Sequence, residues 1–404
     1  MPRLTAAFWV AVAVGSLAWA LYLGIDRHYQ ADLEMVQTWL VGWGQGLNPY
    51  LESASIDYPP HAFALLWLLG FGSSPAAMAV YAIANAVLSV AACYLLVRWF
   101  AELTGSTLSR AEFISFVAML LSSRAIRRAI AAGQTAPLVL ILFVAAMLLA
   151  RRRPVWAGVC FALASFKLNL AAGFGLSLLM LGHVLPLVVA AGVVALLTVG
   201  FAWSIHQPVG AVLGSYLHNL NGIYGGADFF RGVTGIRAGL ADVFSNTELL
   251  QLAYPTLVGA LLGAVVTLSL VRRPVDARVR AATVLACLLW SFASFVHQRY
   301  NTVLLFPALW MMRSEREGLI QHSVIRWILP TVGLLILVAN IPYAVEEGAA
   351  QVLRLLPEGM QHIGFALANL VDEHGTRIVV LVALGLVLRQ MAFGAPSSTP
   401  EAST

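Results

Sequence analysis

The sequence predicts an all-α membrane protein that crosses the bilayer many times, and three observations favour this fold class. Apolar residues make up 60% of the 404 residues and charged residues only 11%, whereas a soluble domain carries about 25% charged residues. Apolar runs at 4–25, 76–100 and 184–204 approach or reach the roughly 20 residues that cross a hydrocarbon core. Arginine clusters separate such runs. A water-soluble globule is therefore excluded.

The positions of the arginines predict the number of spans, because Arg and Lys tend to stay on the cytoplasmic side of a membrane. Most arginine clusters fall on one side if the chain forms about twelve transmembrane helices with both termini in the cytoplasm. The first run is not followed by a convincing cleavage site, so we interpret it as a retained span and not as a signal peptide. We predict spans at about 5–25, 76–98, 111–123, 135–150, 154–166, 168–182, 184–204, 250–271, 281–296, 300–312, 327–343 and 376–391.

This count implies one transmembrane domain over residues 1–394, followed by a disordered cytoplasmic tail at 395–404. Residues 154–182 must then form a hairpin of two short or partly embedded helices, because a single span there would move later arginines to the wrong side. The long outer loop 205–249 is rich in glycine and aromatic residues. We interpret it as a mobile cover over a site at the outer face.

Acidic residues are concentrated on the predicted outer side, and none lies near the middle of a predicted span. Ion-coupled and proton-coupled transporters usually place ionisable groups at the bilayer midplane. The net charge of +5 arises from arginine and records orientation in the membrane, not binding to nucleic acid. The three cysteines lie within apolar runs at no metal-like spacing, so core packing is their expected role. Any chemistry is expected at the outer surface.

The first outer loop, residues 26–75, is predicted to contain two interfacial helices that lie against the membrane. The first carries apolar residues at helical spacing from Leu33 to Trp43. The second is the stretch His61–Phe71, which is too short to cross the bilayer. A Gly-Leu-Asn-Pro-Tyr turn at 46–50 closes the first helix. A Tyr-Pro-Pro element at 58–60 opens the second, where proline at the first helical position is favourable.

One arginine cluster breaks the cytoplasmic rule. Arg124, Arg127 and Arg128 are separated from Arg151–Arg153 by a single predicted span, so the two clusters lie on opposite sides. The other landmarks place the first cluster outside, in a predicted loop at 124–134. Either membrane insertion tolerates this exception, or three guanidinium groups at i, i+3 and i+4 spacing bind an anionic group at the outer face.

These motifs resemble those of glycosyltransferase family 87, a group of GT-C membrane enzymes that use polyprenyl-phosphate sugars. The family's first-loop elements, Asp-x-x-Val-Tyr, Gly-x-x-Pro-Tyr and Tyr-Pro-Pro, resemble residues 32–36, 46–50 and 58–60. Later elements resemble Gly133-Gln134, Phe166-Lys167 and His297-Gln298, so the likeness runs from about residue 20 to 310. The chain departs from the family pattern at Ala136, which stands in place of Asn, and at Gln298, which stands in place of His; the Tyr of Asp-x-x-Val-Tyr is also absent from residues 32–36.

The resemblance implies a role for each matched residue. Asp32 matches the first-loop aspartate and would act as the general base, with Asp26 and Asp57 as alternatives; Asp32 could also be the N-cap of a helix that starts at Leu33. Lys167 and His297 are implied in binding the donor phosphate. Independently of the resemblance, Arg124, Arg127 and Arg128 would bind the same phosphate, because bidentate guanidinium geometry suits a phosphate diester. The residues implied in binding sugar or acceptor are Tyr58, Gln134, Gln298 and Arg299.

Plainer interpretations of three of these residues stay open. Lys167 is the single lysine of the chain, and it could simply extend its ammonium group to the membrane interface. His297 could be an interfacial histidine satisfied by water or backbone. Gln134 could be an ordinary polar loop residue.

The activity that the resemblance implies is transfer of a sugar, with mannose favoured, from a polyprenyl-phosphate donor to a glycolipid or glycan acceptor. Transfer would invert the anomeric centre at the periplasmic face of a bacterial inner membrane. No cofactor and no metal ion are expected, and the expected partners are the donor, the acceptor and membrane lipids. The alternative is a lipid or small-molecule transporter, which an inverted repeat with broken helices would favour. The sequence contains no evident repeat of this kind, and a non-catalytic scaffold would leave the arginines and the acidic first loop unexplained.

Overall fold

The computed structural model describes residues 2–25, 30–70, 74–225, 247–272, 277–295 and 376–393. Within these ranges the chain forms helices and turns and contains no strand, which confirms the all-α class. The helices are α1 (Pro2–Ile25), α2 (Ala31–Gly44), α3 (Pro49–Glu52), α4 (Phe63–Leu66), α5 (Pro75–Thr104), α6 (Arg110–Leu121), α7 (Arg124–Ala131), α8 (Ala136–Leu149), α9 (Pro154–Ala164), α10 (Leu168–Met180), α11 (Val184–Ser204), α12 (Val209–Gly225), α13 (Thr247–Arg272), α14 (Ala277–Ser294) and α15 (Thr376–Phe393).

Four stretches of the described residues are long and apolar enough to cross a membrane. Each coincides with a predicted span. Other predicted spans correspond to shorter helices, such as α8 with 14 residues and α9 with 11, fewer than the roughly 20 that a span needs. The predicted spans at 300–312 and 327–343 and the tail at 395–404 lie outside the described residues, so the count of twelve stays a prediction. The four stretches are Leu4–Ile25, Pro75–Thr104, Val184–Ser204 and Ala253–Val271.

Local sequence signals set where several helices begin and end. The Ser74 hydroxyl accepts from the Ala77 amide at the start of α5, and Gly105 ends that helix in the left-handed conformation, with φ 65°. Ser109 and Glu112 form a reciprocal capping box at the start of α6. Ser123 caps α7, so the stretch predicted as a loop at 124–134 is a helix over most of its length.

The segment 154–182 contains two short helices, as predicted, but they do not form the predicted hairpin. In the described chain, α9 packs mainly against α8 and α11, whereas α10 packs mainly against α14. Each helix is predominantly apolar, so each can pack against neighbours other than the adjacent helix. The break between them, at residues 165–167, is consequently held inside the protein.

The first loop is packed into the protein instead of lying open on a membrane surface. Of the apolar residues predicted at helical spacing on α2, Leu33, Val36 and Leu40 are buried and Trp43 is half-buried; Trp39 beside them is buried too. The second predicted helix is interrupted: a 3-10 turn at Pro60–Ala62, α4, and a 3-10 turn at Trp67–Leu69 follow one another. The prediction of two interfacial helices therefore lacks support in the packing of α2.

Part of the long loop predicted at 205–249 is the helix α12, which is fastened to the first loop. Asn219 on α12 donates from Nδ2 to the backbone oxygens of Tyr50 at 3.1 Å and Ser53 at 2.8 Å. The ring of Tyr216 lies 5.6 Å from the ring of Tyr50. Residues 209–225 therefore form a helix that contacts the first loop, whereas residues 226–246 lie outside the described residues, and the mobile cover stays a prediction.

The core between α5, α8 and α10 is aromatic and apolar. Phe143 and Phe174 stack with ring centroids 4.7 Å apart and planes 4° apart. Cys93 and Cys287 are fully buried free thiols, and Cys160 is partly buried. Their positions agree with the predicted packing role.

Candidate active site

Asp32 is the second residue of α2, the helix that follows the first candidate membrane span. The helix begins at Ala31, and Gln30 occupies the N-cap position without a side-chain capping bond. The interpretation of Asp32 as N-cap was therefore wrong by two positions. An acid in the first turn is still favourable, because the partial positive charge of the helix N-terminus attracts a carboxylate. The side chain is half-buried and remains reachable from outside the protein.

Gln134 connects Asp32 to Lys167. Its Nε2 donates to Oδ2 of Asp32, and its Oε1 accepts from Nζ of Lys167 at 3.1 Å. The orientation of the amide follows from its partners, since an ionised carboxylate only accepts and an ammonium group only donates. Gln134 is 5% exposed. The interpretation of Gln134 as an ordinary loop residue was wrong.

Lys167 lies at the break between α9 and α10 and points into the protein. It is 6% exposed, which excludes the interpretation that its side chain merely extends to the membrane interface. Its Nζ donates to the Tyr58 hydroxyl at 2.7 Å and lies 4.8 Å from the centre of the Tyr58 ring. A buried ammonium group needs such partners, because desolvation without them is costly.

Tyr58 is held as a neutral phenol. Burial raises the pKa of Tyr58 above its ordinary value, and the neighbouring carboxylate of Asp57 raises it further. The hydroxyl therefore keeps its proton while it accepts from Lys167. The backbone oxygen of Tyr58 accepts from the Tyr50 hydroxyl at 2.7 Å, so the Tyr-Pro-Pro element is tied to the Asn-Pro-Tyr element.

A tight turn between α7 and α8 positions Gln134. The two helices meet at 120°. At the end of α7, the amides of Gly133 and Gln134 donate to the carbonyls of Ile130 and Ala129 at 3.2 and 2.8 Å, which is the Schellman pattern of helix termination. Gly133 has φ +67°, and a Cβ atom there would lie 2.7 Å from Cβ of Leu33. Glycine is thus required both by the backbone conformation and by the close approach of α2.

Asn85, which sequence reasoning missed, holds the same turn from α5. Its Nδ2 donates to the backbone oxygens of Ala129 at 3.0 Å and Gln134 at 2.9 Å. Asn85 is buried in the second of the candidate membrane spans. Its signal in the sequence was a single amide within an otherwise apolar helix, where polar side chains are costly unless they have partners.

A second missed pair joins the first loop to the break that carries Lys167. His61 Nε2 and Ser165 Oγ lie 3.1 Å apart. Ser165 donates its own proton to the Ala162 carbonyl at 2.8 Å, so the histidine ring is the donor in the pair. Burial lowers the pKa of His61 to about 4. His61 is therefore neutral at pH 7 and acts as a hydrogen-bond donor, not as a cation.

The three arginines lie on α7, whose last turn leads into Gly133 and Gln134. They differ in burial: Arg127 is 4% exposed, Arg124 is half-buried and Arg128 is exposed. Asp57 is half-buried directly before Tyr58. The other predicted site residues, Asp26, His297, Gln298 and Arg299, lie outside the described residues.

The arrangement offers a carboxylate and an ammonium group in one cluster, separated by a single amide. Such a pair suits a reaction in which the carboxylate accepts a proton while the ammonium group stabilises the negative charge of a leaving group. Among the described residues, no group of three or more His, Cys, Asp and Glu side chains could hold a metal ion.

Comparison with known proteins supports a glycosyltransferase. The model of glycosyltransferase family 87 matches residues 57–296, which is more than half of the chain. The match includes Tyr58, Gln134 and Lys167 and begins after Asp32. The chain matches no curated protein and no solved structure. Together with its candidate membrane spans, the family match identifies the chain as a membrane protein that belongs to glycosyltransferase family 87.

Proposed function

We propose that this family 87 protein transfers a sugar, with mannose favoured, from a polyprenyl-phosphate donor to a glycolipid or glycan acceptor. The reaction would take place at the periplasmic face of a bacterial inner membrane. The observation that carries this proposal is the connection of Asp32 to Lys167 through Gln134. The comparisons lend no support to the alternative of a transporter.

Asp32 is the proposed general base. It would accept the proton of an acceptor hydroxyl, whose oxygen then bonds to the anomeric carbon of the donor sugar. The bond from that carbon to the phosphate oxygen breaks, and the electron pair leaves with the polyprenyl phosphate. Attack opposite to the leaving group inverts the anomeric centre. The half-buried position of Asp32 supports this role, because the carboxylate is reachable while Gln134 holds one of its oxygens.

Lys167 is the proposed binder of the donor phosphate, together with Arg124, Arg127, Arg128 and His297. A charge-assisted contact from ammonium or guanidinium to a phosphate oxygen would strengthen as negative charge grows on the leaving group. The burial of Lys167 supports the proposal, since a charge acts more strongly where water is excluded. Tyr58, Gln298 and Arg299 are the proposed contacts to sugar or acceptor hydroxyls.

The test is sugar transfer by the full-length protein in detergent, with a panel of radiolabelled polyprenyl-phosphate sugars and glycolipid acceptors. Asp32→Asn should abolish transfer of the accepted sugar, because the amide cannot take a proton, while binding of the donor stays close to that of the wild type. Glu52→Gln, which changes an exposed acid on α3, is the matched control and should retain activity. Full activity of Asp32→Asn would exclude the proposed base.

A separate variant tests the phosphate site. Lys167→Met should raise the KM for the donor at least about tenfold, the loss expected for one charge-assisted hydrogen bond. Lys167→Arg keeps the charge and should recover part of that loss. Equal donor KM values in wild type and Lys167→Met would remove Lys167 from the phosphate site.

A further inference from the structure

We infer that Gln134 is a positioning residue that couples the carboxylate of Asp32 to the ammonium group of Lys167, and not a contact to the sugar. The inference rests on the proposed function, because it gives the proposed base and the proposed phosphate binder a shared support. It assigns to one amide the task of holding both groups in their working geometry.

The two neighbours of Gln134 have opposite hydrogen-bonding chemistry. A carboxylate offers only acceptors and an ammonium group offers only donors. A side chain that stands between them must donate on one side and accept on the other. Gln134 does both, with Nε2 on Asp32 and Oε1 on Lys167. An amide has this pair of functions, whereas a carboxylate in the same place would repel Asp32.

The backbone that carries the Gln134 amide is held rigidly. Gln134 follows the left-handed Gly133, its own N–H donates to Ala129, and its carbonyl accepts from Asn85. Its backbone is thus fixed by three separate features. A side chain that sets the position of two charges needs this support, because a displacement of its backbone would move both groups.

Charged and phenolic groups surround the Gln134 amide. Lys167 faces it from the break before α10, and Asp32 from α2. Tyr58 in the first loop and Tyr81 on α5 are phenols that interact electrostatically with Asp32, and Asp57 acts on Tyr58. Replacing Gln134 by Glu would add a carboxylate to this group. Lys167 favours the ionised form of the new carboxylate, so the proton shared by the two acids would reside on Asp32.

The decisive experiment compares pH profiles of kcat/KM for sugar transfer in the full-length protein. In Gln134→Glu the acid limb should move to higher pH by at least about one unit, because the ionised base becomes harder to form. Gln45→Glu, which adds the same charge at an exposed position just after α2, should keep the wild-type profile. An unchanged profile in Gln134→Glu would overturn the inference.

A second variant separates positioning from sugar contact. Gln134→Met keeps the length of the side chain and removes both hydrogen bonds. It should lower kcat about tenfold or more, raise the donor KM less than Lys167→Met does, and leave the acceptor KM within about twofold of the wild type. A rise in KM with unchanged kcat would instead assign Gln134 to substrate binding and would overturn the inference.

A measurement on the wild-type side chain keeps the inference testable even if both Gln134 variants fail to fold. Lys167 is the single lysine of the chain, so protein labelled with 13Cε-lysine gives one lysine signal. Asp32→Asn should shift this signal, and Glu52→Gln should not. An identical signal in Asp32→Asn and wild type would show that the two groups are not coupled. If Asp32→Asn is inactive while the Gln134→Glu profile is unchanged, the proposed base stands and only the coupling is wrong; if Asp32→Asn is active, the proposed base itself is wrong.

Discussion

Asn85 donates from its side-chain amide to the backbone carbonyl of Gln134 over 2.9 Å, so a polar residue inside a membrane-spanning helix fixes the turn that carries the site. The same nitrogen reaches the carbonyl of Ala129 at 3.0 Å. Both bonds go to backbone atoms, and the clamp therefore depends on Asn85 alone and not on the identity of neighbouring side chains. Substitution of Asn85 therefore disturbs the backbone at Gln134 without changing the side chain of Gln134.

We expect Asn85→Leu to lower the free energy of unfolding by about 1–3 kcal/mol, because the buried carbonyl of Gln134 loses its donor. Sugar transfer should fall more than stability alone explains, since the turn is no longer held against α5. Chemical unfolding in detergent and a transfer assay at a temperature where both proteins are folded measure the two effects.

Ser89→Ala is the control for this variant. Ser89 is buried one turn further along α5 and donates only to the carbonyl of Asn85 in its own helix. It should change transfer little. Equal activity of Asn85→Leu and Ser89→Ala would show that the turn does not need the clamp.

Gly133→Ala should abolish most activity and destabilise the fold. The left-handed backbone costs a Cβ-bearing residue roughly 1–2 kcal/mol, and the new methyl group would also collide with Leu33, the neighbour of Asp32. Gly46→Ala isolates the first effect, because Gly46 has φ +77° but nothing within 4 Å of an added Cβ atom. Unfolding and transfer assays on both variants should show similar backbone costs but loss of activity only at Gly133.

The sequence predicted the helical class and several long spans, because composition and the length of apolar runs carry that information directly. It also predicted Asp32, Gln134 and Lys167 as site residues. It could not predict that they contact one another, since Asp32 is 102 residues from Gln134 and Gln134 is 33 residues from Lys167, and only the fold brings the start of α2, the turn after α7 and the break before α10 together.

The failures have local physical causes. Residues 124–131 were predicted as a loop because three arginines interrupt the apolar pattern, yet the Ser123 cap and the packing of α7 on α1 stabilise a helix. Asn85 and His61 were missed because a lone polar residue in an apolar stretch has no spacing signal. Only its partner in space shows its role.

Tyr58→Phe should destabilise the protein by about 1.5–3 kcal/mol, the range for a hydrogen bond to a charged group, because Lys167 loses the acceptor at 2.7 Å. The ring remains, so the contact between the ammonium group and its face is kept. Tyr50→Phe removes a neutral hydrogen bond to the Tyr58 carbonyl and should cost only about 0.5–1.5 kcal/mol. Unfolding in detergent ranks the two variants, and an equal or reversed order would contradict the proposed importance of the Lys167–Tyr58 contact.

Because His61 is buried, we expect the stability of the protein to decrease as the pH falls below neutrality. Burial lowers the pKa of His61 to about 4 in the folded protein, whereas an unfolded chain has a histidine pKa of about 6.5. Between these values the unfolded chain binds more protons than the folded one, so stability is full above pH 6.5 and falls as the pH is lowered toward 4. The full loss amounts to about 3 kcal/mol, because one pKa unit corresponds to about 1.4 kcal/mol.

His61→Gln removes this titration while its amide can still donate to Ser165. Other groups titrate in the same range, so the informative quantity is the difference in slope between variant and wild type. We expect the free energy of unfolding of His61→Gln to decline less from pH 7 to pH 5 than that of the wild type, by about 2 kcal/mol if the histidine is the main contributor. His218→Gln, which changes an exposed histidine on α12, should keep the wild-type slope. Parallel curves for wild type and His61→Gln would mean that His61 has the same pKa in the folded and the unfolded protein, which would contradict the predicted effect of burial.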